Sequence, residues 1–139
     1  MTLILGLLAL TALPQVATTS PPAPAIPAEV PNAEVVDSAR QFLLLIDQGR
    51  WEDSYKATGS SFRKQNTVQV WAAASEQARR PLGAVTSRTF VSQENLPAPP
   101  AGYEVVKFRT SFANKADMVE TVTLDRENGG WHVVGITIG

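Results

Sequence analysis

The chain has no cysteine, which removes disulfides, thiol nucleophiles and thiolate metal sites together. It has one histidine, His132, too few for a zinc site of the usual His-rich kind. No carboxylates cluster at the spacing a calcium or magnesium loop needs, so neither a metal nor a cofactor is expected. Charge of one sign is also lacking. Twelve basic residues face thirteen acidic ones, so no net field draws in a polyanion, and nucleic acid is not expected as a partner. There is no Gly-rich phosphate loop, because Gly129-Gly130 reads as a hairpin turn. Long apolar runs are missing too. The run Leu3–Leu13, LILGLLALTAL, has eleven residues, whereas a membrane-spanning helix needs about twenty.

That run has the length of a signal h-region. No Lys or Arg precedes it, and the small-x-small positions that suit cleavage are Ala23-Pro24-Ala25 or, alternatively, Ala17. No cysteine follows, which excludes a lipoprotein. The expectation is an exported protein, periplasmic or secreted, with no stable membrane span after signal cleavage. Ser20–Pro31, SPPAPAIPAEVP, carries five prolines and reads as an extended spacer. The organisation expected is a signal-type segment at 1–19, a proline-rich spacer at 20–31 and one domain at 32–139, large enough to bury a core without metal or disulfide support.

Within that domain, Asn32 is placed to cap a helix whose inner stripe holds Val35, Ala39, Phe42 and Ile46, widened by Val36 and Leu43 and ended by Gly49. A short second helix starts near Arg50, with Trp51 and Tyr55 on one side, and closes at Gly59. Thr67 caps a third helix through about Arg80, lined by Val68, Trp71, Ala72 and Ser75 and stopped by Pro81 and Gly83. From Ala84 the pattern switches to period two. Four strands are expected at 84–93, 103–113, 118–126 and 131–138, with turns at Asn114–Asp117 and Asn128–Gly130. The class is therefore α+β: N-terminal helices packed on a curved four-stranded antiparallel sheet.

Alternation also sorts the sheet faces. Val106, Phe108, Thr110 and Phe112 share the helix-facing side with Met118, Glu120, Val122 and Leu124, and with Val134, Ile136 and Ile138. The reverse side carries Val105, Thr121, Thr123 and Val133, a surface through which a homodimer can form. Glu120 is the one charge on the apolar face, and Arg88 shares a face with Phe90, so the two are expected to pair. A structural pair is the favoured reading, and a polar floor to a ligand cleft is the other. Arg79 and Arg80 suit the negative end of their helix. Together with Arg88 they can also form a corner that binds an anion. Trp51, Trp71 and Trp131 read as core, and Gly83 and Gly130 as structural turn residues.

A set of motifs then becomes recognisable: Asp47-Gln48-Gly49-Arg50-Trp51 followed by Tyr55, then Trp71, Arg79-Arg80-Pro81-Leu82-Gly83 with Arg88, Pro100-Ala101-Gly102-Tyr103, Glu120-Thr121-Val122 and the closing Gly130-Trp131-His132-Val133-Val134-Gly135. Over nearly the whole chain after the spacer, this resembles an uncharacterised family of exported bacterial proteins, the domain of unknown function 4019. The resemblance implies a variant of the cystatin-like, nuclear-transport-factor-two-like cone and brings no activity with it. No residue is assigned a catalytic role. The expected function is a non-catalytic binding or interaction module for a small ligand or an envelope protein. Arg88, Glu120, Tyr103, Arg79 and Arg80 are its candidate ligand-binding residues. The alternative is an isomerase- or hydrolase-like enzyme with a carboxylate in the cone cavity, using Asp47, Asp53 or Glu120 as base and Tyr55 or Tyr103 as donor.

Overall fold

The computed structural model describes residues 31–139. The leader and all of the spacer but Pro31 lie outside the described residues. Helix α1 (Ala33–Asp47) begins where the Asn32 side chain accepts a hydrogen bond from the Glu34 N–H, and it buries Val35, Val36, Ala39, Phe42, Leu43 and Ile46. It ends at Gly49, whose φ of 68° places it in the left-handed region that glycine enters without steric cost. Helix α2 (Trp51–Lys56) follows directly, and α4 (Val68–Arg79) is capped by the Thr67 side chain on the Val70 N–H. None of the helices described is long and apolar enough to cross a membrane.

Between α2 and α4 lies a helix the sequence did not announce, α3 (Ser60–Gln65). Its six residues, SSFRKQ, hold one apolar side chain, too few to show a helical period. Tertiary contacts hold it instead. Phe62 meets Trp71 edge-on at 5.4 Å, and the Tyr55 hydroxyl donates to the Asn66 carbonyl at 2.8 Å. Trp71 in turn donates from its indole Nε1 to Ser54 Oγ at 2.9 Å, tying α4 to α2.

Strands β1 (Val85–Leu96), β2 (Tyr103–Phe112), β3 (Lys115–Glu127) and β4 (Gly130–Ile138) form an antiparallel meander in the order β1-β2-β3-β4. Helices packed on a four-stranded antiparallel sheet are the α+β class expected. Two turns differ from expectation. The β2–β3 connection is Ala113-Asn114, and β3 already begins at Lys115. The residues expected there as a turn, as far as Asp117, instead lie in a strand next to a register shift between Thr110 and Phe112. In the last hairpin the positive φ angles belong to Asn128 (51°) and Gly129 (77°), the backbone of a two-residue type I′ turn, while Gly130 opens β4.

Val106, Phe108, Thr110 and Phe112 line the inner face with Glu120, Val122 and Leu124, all buried. The fourth strand departs from simple alternation. Thr123 pairs with Gly135 but Leu124 pairs with Val133, so Val134 is the extra residue of a bulge. The bulge moves Val133 from the expected reverse side into the core, where it is 3% exposed. A strap, Ala57–Gly59, runs parallel along the free side of β4. Gly59 N donates to the Val133 carbonyl at 2.8 Å, and Val133 N donates to the Ala57 carbonyl at 3.1 Å.

Candidate functional site

Four charged side chains converge where the end of α1, the end of α4 and the inner face of the sheet meet. Asp47 is the last residue of α1 and Arg79 the last of α4. Arg88 stands opposite Thr110 in the β1–β2 pairing, and Glu120 opposite Phe108 in the β2–β3 pairing. Glu120 is wholly buried. Its Oε1 accepts from Arg88 Nε at 2.7 Å and from the Thr110 hydroxyl, and its Oε2 accepts from Arg79 Nη1 at 3.0 Å and Arg88 Nη2 at 3.2 Å. A carboxylate offers about four acceptor positions, so Glu120 is saturated. Asp47 receives Arg88 Nη1 at 2.7 Å and Nη2 at 3.0 Å, and also Arg79 Nη2. Arg79 lies over the Phe112 ring at 4.8 Å. Two cations and two anions make the quartet neutral.

Burial alone would lower the pKa of the Arg88 guanidinium. Its hydrogen bonds and charge attraction to Asp47 and Glu120 outweigh that and hold it above its ordinary value. Arg88 therefore stays charged and stays engaged. The expected pairing of Arg88 with Glu120 is present, and it is a quartet rather than a pair. Asp47 had entered only as a possible base, yet its place was readable. Val36, Leu43 and Asp47 stand seven and four residues apart, on the buried stripe of α1. The same logic separates the two adjacent arginines. Arg79 is four residues past Ser75 and eight past Trp71, on the inner stripe of α4. Arg80 points outward and pairs with Glu76 at the surface.

Arg80 and Tyr103 are not members of the quartet, although Arg80, paired with Glu76, lines the depression beside Asp47 and Arg79. Tyr103 pairs with Leu96 at the far end of β2, on the parity of Val105 and Lys107, away from the helices. Tyr55 is committed to Asn66, and Asp53 to Arg50 on the surface. Trp71 is buried, whereas Trp51 and Trp131 are partly buried and packed against the core. Gly83, at φ 76°, makes the turn into β1.

Three depressions open near the quartet. One of about 360 Å³ passes over Asp47, Arg79 and Gly83. Another of about 440 Å³ lies between α2 and α4. The third, about 250 Å³, lies between α4 and the end of β4. None of the three is a closed cavity holding a carboxylate.

A second acidic group sits under the strap. Asp125 pairs across the strands with His132, and Glu127 with Gly130. The Ser60 N–H donates to Glu127 Oε2 at 2.9 Å, and this backbone bond, helped by the Ser60 hydroxyl, draws the Glu127 carboxyl below its usual range. Asp125 goes the other way. Burial first, and then the charge of Glu127, push its carboxyl up, and His132 only partly offsets them. Asp125 Oδ1 is buried without a hydrogen-bond partner. Among the described residues no three His, Cys, Asp or Glu side chains stand close enough to hold a metal ion.

A family model described as "Protein of unknown function (DUF4019)" matches residues 38–136, from within α1 to within β4, and spans all four members of the quartet. No curated protein matches the chain.

Proposed function

The chain belongs to this family of unknown function, and from that premise we propose that it is an exported, non-catalytic binding module built on a variant of the cystatin-like, nuclear-transport-factor-two-like cone. One observation carries the non-catalytic part. The acid buried beneath the helices, Glu120, has every acceptor position filled by Arg79, Arg88 and Thr110. A general base needs a free lone pair aimed at a substrate proton, and Glu120 has none. The quartet holds the ends of α1 and α4 against the sheet, and so fixes the walls of the depressions around it.

Export rests on the apolar run Leu3–Leu13 and the proline-rich stretch after it. The reverse side of the sheet is a weaker basis for self-association than its sequence suggests. With Val133 turned inward it presents Val105, Thr121 and Thr123 beside Lys107 and Arg109. The module is therefore read as a carrier of a small ligand first and as a homodimer second. Osmotic shock of a bacterium expressing the full chain with a C-terminal tag tests the export reading. Release into the shock fluid is expected, and retention in the spheroplasts overturns it. Light scattering across micromolar concentrations tests the dimer, and a monomer throughout removes it.

A further inference from the structure

Asparagine is a thermally labile residue, and its lifetime in a folded chain depends on the residue that follows it and on whether its amide is held. The chain has five asparagines. Four are followed by a residue that carries a side chain, Ala33, Thr67, Leu96 and Lys115, and each of the four is engaged. Asn32 Oδ1 accepts from the Glu34 N–H at 3.0 Å. Asn66 Nδ2 donates to the Phe62 carbonyl at 3.1 Å, Asn95 Nδ2 to Glu104 Oε1 at 3.1 Å, and Asn114 Nδ2 to the Pro81 carbonyl at 3.2 Å. Asn128 is different. It is followed by Gly129, it is exposed, and its side chain has no hydrogen-bond partner among the described residues.

Asn128 and Gly129 form the tip between β3 and β4, with φ of 51° and 77°. The Gly129 N–H makes no backbone hydrogen bond among the described residues, and a Cβ placed on Gly129 would meet no atom within 4 Å. The Gly129 nitrogen therefore has no bond to give up and no neighbour in its way when it swings toward Asn128 Cγ. A hairpin tip of this kind opens locally without disturbing the packed core.

We propose that Asn128 is the site at which this chain deamidates spontaneously, and that the isoaspartate formed there loosens the hairpin under the strap. The deprotonated Gly129 nitrogen attacks Asn128 Cγ. The new N–Cγ bond closes a succinimide ring, the Cγ–Nδ2 bond breaks, and Nδ2 leaves as ammonia with the proton. Water then opens the ring. Cleavage of the N–Cγ bond leaves aspartate, and cleavage of the bond from that nitrogen to the Asn128 carbonyl carbon leaves isoaspartate. One water is consumed, one ammonia is released, and nothing is oxidised or reduced. Either product adds a carboxylate next to Glu127 and near Asp125. Isoaspartate also puts a further methylene into the main chain of a two-residue turn, so the pairing of Glu127 with Gly130 no longer closes with its present geometry. Glu127 accepts from the Ser60 N–H at 2.9 Å, so the disturbance reaches the start of α3.

The inference is independent of the binding-module reading. Its test is ageing of the folded full chain at mildly alkaline pH, followed by tryptic mapping and labelling with an isoaspartyl methyltransferase. Acid and methyl label are expected in the fragment 127–139, whose only asparagine is Asn128, ahead of Asn32, Asn66, Asn95 and Asn114. Gly129→Ser puts a side chain beside the attacking nitrogen and should slow the conversion at least about tenfold, the effect of about 1.4 kcal/mol on the barrier. Asn128→Gly keeps a turn-compatible Gly-Gly tip and should hold its thermal midpoint through the same ageing. The isolated isoaspartyl form should melt below Asn128→Asp, which has the charge without the extra methylene. Conversion first at another asparagine, or none in the folded chain while the urea-unfolded chain converts, overturns the proposal. So does an unchanged rate in Gly129→Ser, a midpoint lost equally fast in Asn128→Gly, or an isoaspartyl form that melts no lower than Asn128→Asp.

Discussion

Two acidic centres on the same strand, Glu120 and the Asp125–Glu127 group, differ in everything except their side-chain chemistry. Glu120 is the more deeply buried, and two guanidiniums and a hydroxyl meet its oxygens at every position. Asp125 is only partly buried, yet one oxygen lacks a partner and the charge that acts on it most is another carboxylate, Glu127. The contrast shows that depth does not decide whether a buried acid's oxygens are met; the donors that the surrounding elements bring to it do. The deeper burial is at Glu120, where each oxygen is met by donors, whereas one oxygen of the shallower Asp125 has none.

The largest effect that can break this comparison is Arg88→Met. It strips Glu120 of two hydrogen bonds and Asp47 of two more, and should lower stability by about 3 kcal/mol in chemical denaturation. The double change with Glu120→Leu should cost less than Arg88→Met alone, because no uncompensated carboxylate is then buried. Additive losses in the double-mutant cycle would show that the quartet is not a unit.

Next comes the strap over the second centre. A Cβ on Gly59 would stand 2.9 Å from Val134 Cγ1 and 3.1 Å from Asp125 Oδ1, so Gly59→Ala should cost about 1–2 kcal/mol through overpacking. An unchanged thermal midpoint would mean that the strap yields freely.

The smallest effects are those of charge at the second centre. The Asp125 carboxyl is raised in the folded state, so the fold holds that proton more tightly than the unfolded chain does. Its penalty on stability is full above the folded pKa and is relieved as pH falls through it. Glu127 is lowered, so its contribution is present above the unfolded pKa and is lost as pH falls through the folded one. Asp125→Asn should leave neutral-pH stability within about 0.5 kcal/mol of wild type, shifted upward if at all, and should erase the relief on mild acidification. Glu127→Gln should flatten the loss at lower pH. Denaturation midpoints measured across the acid range separate the two, and a steeper acid relief in Asp125→Asn would reverse the assignment.

Much of the fold was legible because its signals are local. Asn32 and Thr67 cap the helices that their sequences announce, and Gly49 ends α1 as its position implies. Strict alternation placed Val106 through Phe112 and Glu120 through Leu124 on the buried side. What escaped was what alternation cannot carry. A bulge at Val134 changes the parity of β4 without any change in composition, and so sent Val133 to the wrong face. Helix α3 is held by Phe62 against Trp71, a contact with no periodic trace. At the candidate site, Glu120 and Arg88 were readable as partners because strand parity put them on one side. Asp47 and Arg79 became members only once two helix ends were brought over the sheet, although their spacing along each helix already pointed inward. Arg80 and Tyr103 were grouped with them by proximity in sequence or by residue type, and neither reason fixes direction in space.

The strap along β4 also has a consequence for assembly. Ala57 and Gly59 occupy backbone groups of Val133 on the side of β4 that faces away from β3, so one border of the sheet is already engaged at its middle. The opposite border, β1, is free among the described residues, and two register irregularities interrupt its ladder. Runaway strand-to-strand polymerisation needs two open borders on every copy. A sheet with one usable border can at most close on a second sheet around a twofold axis, and growth then stops at two.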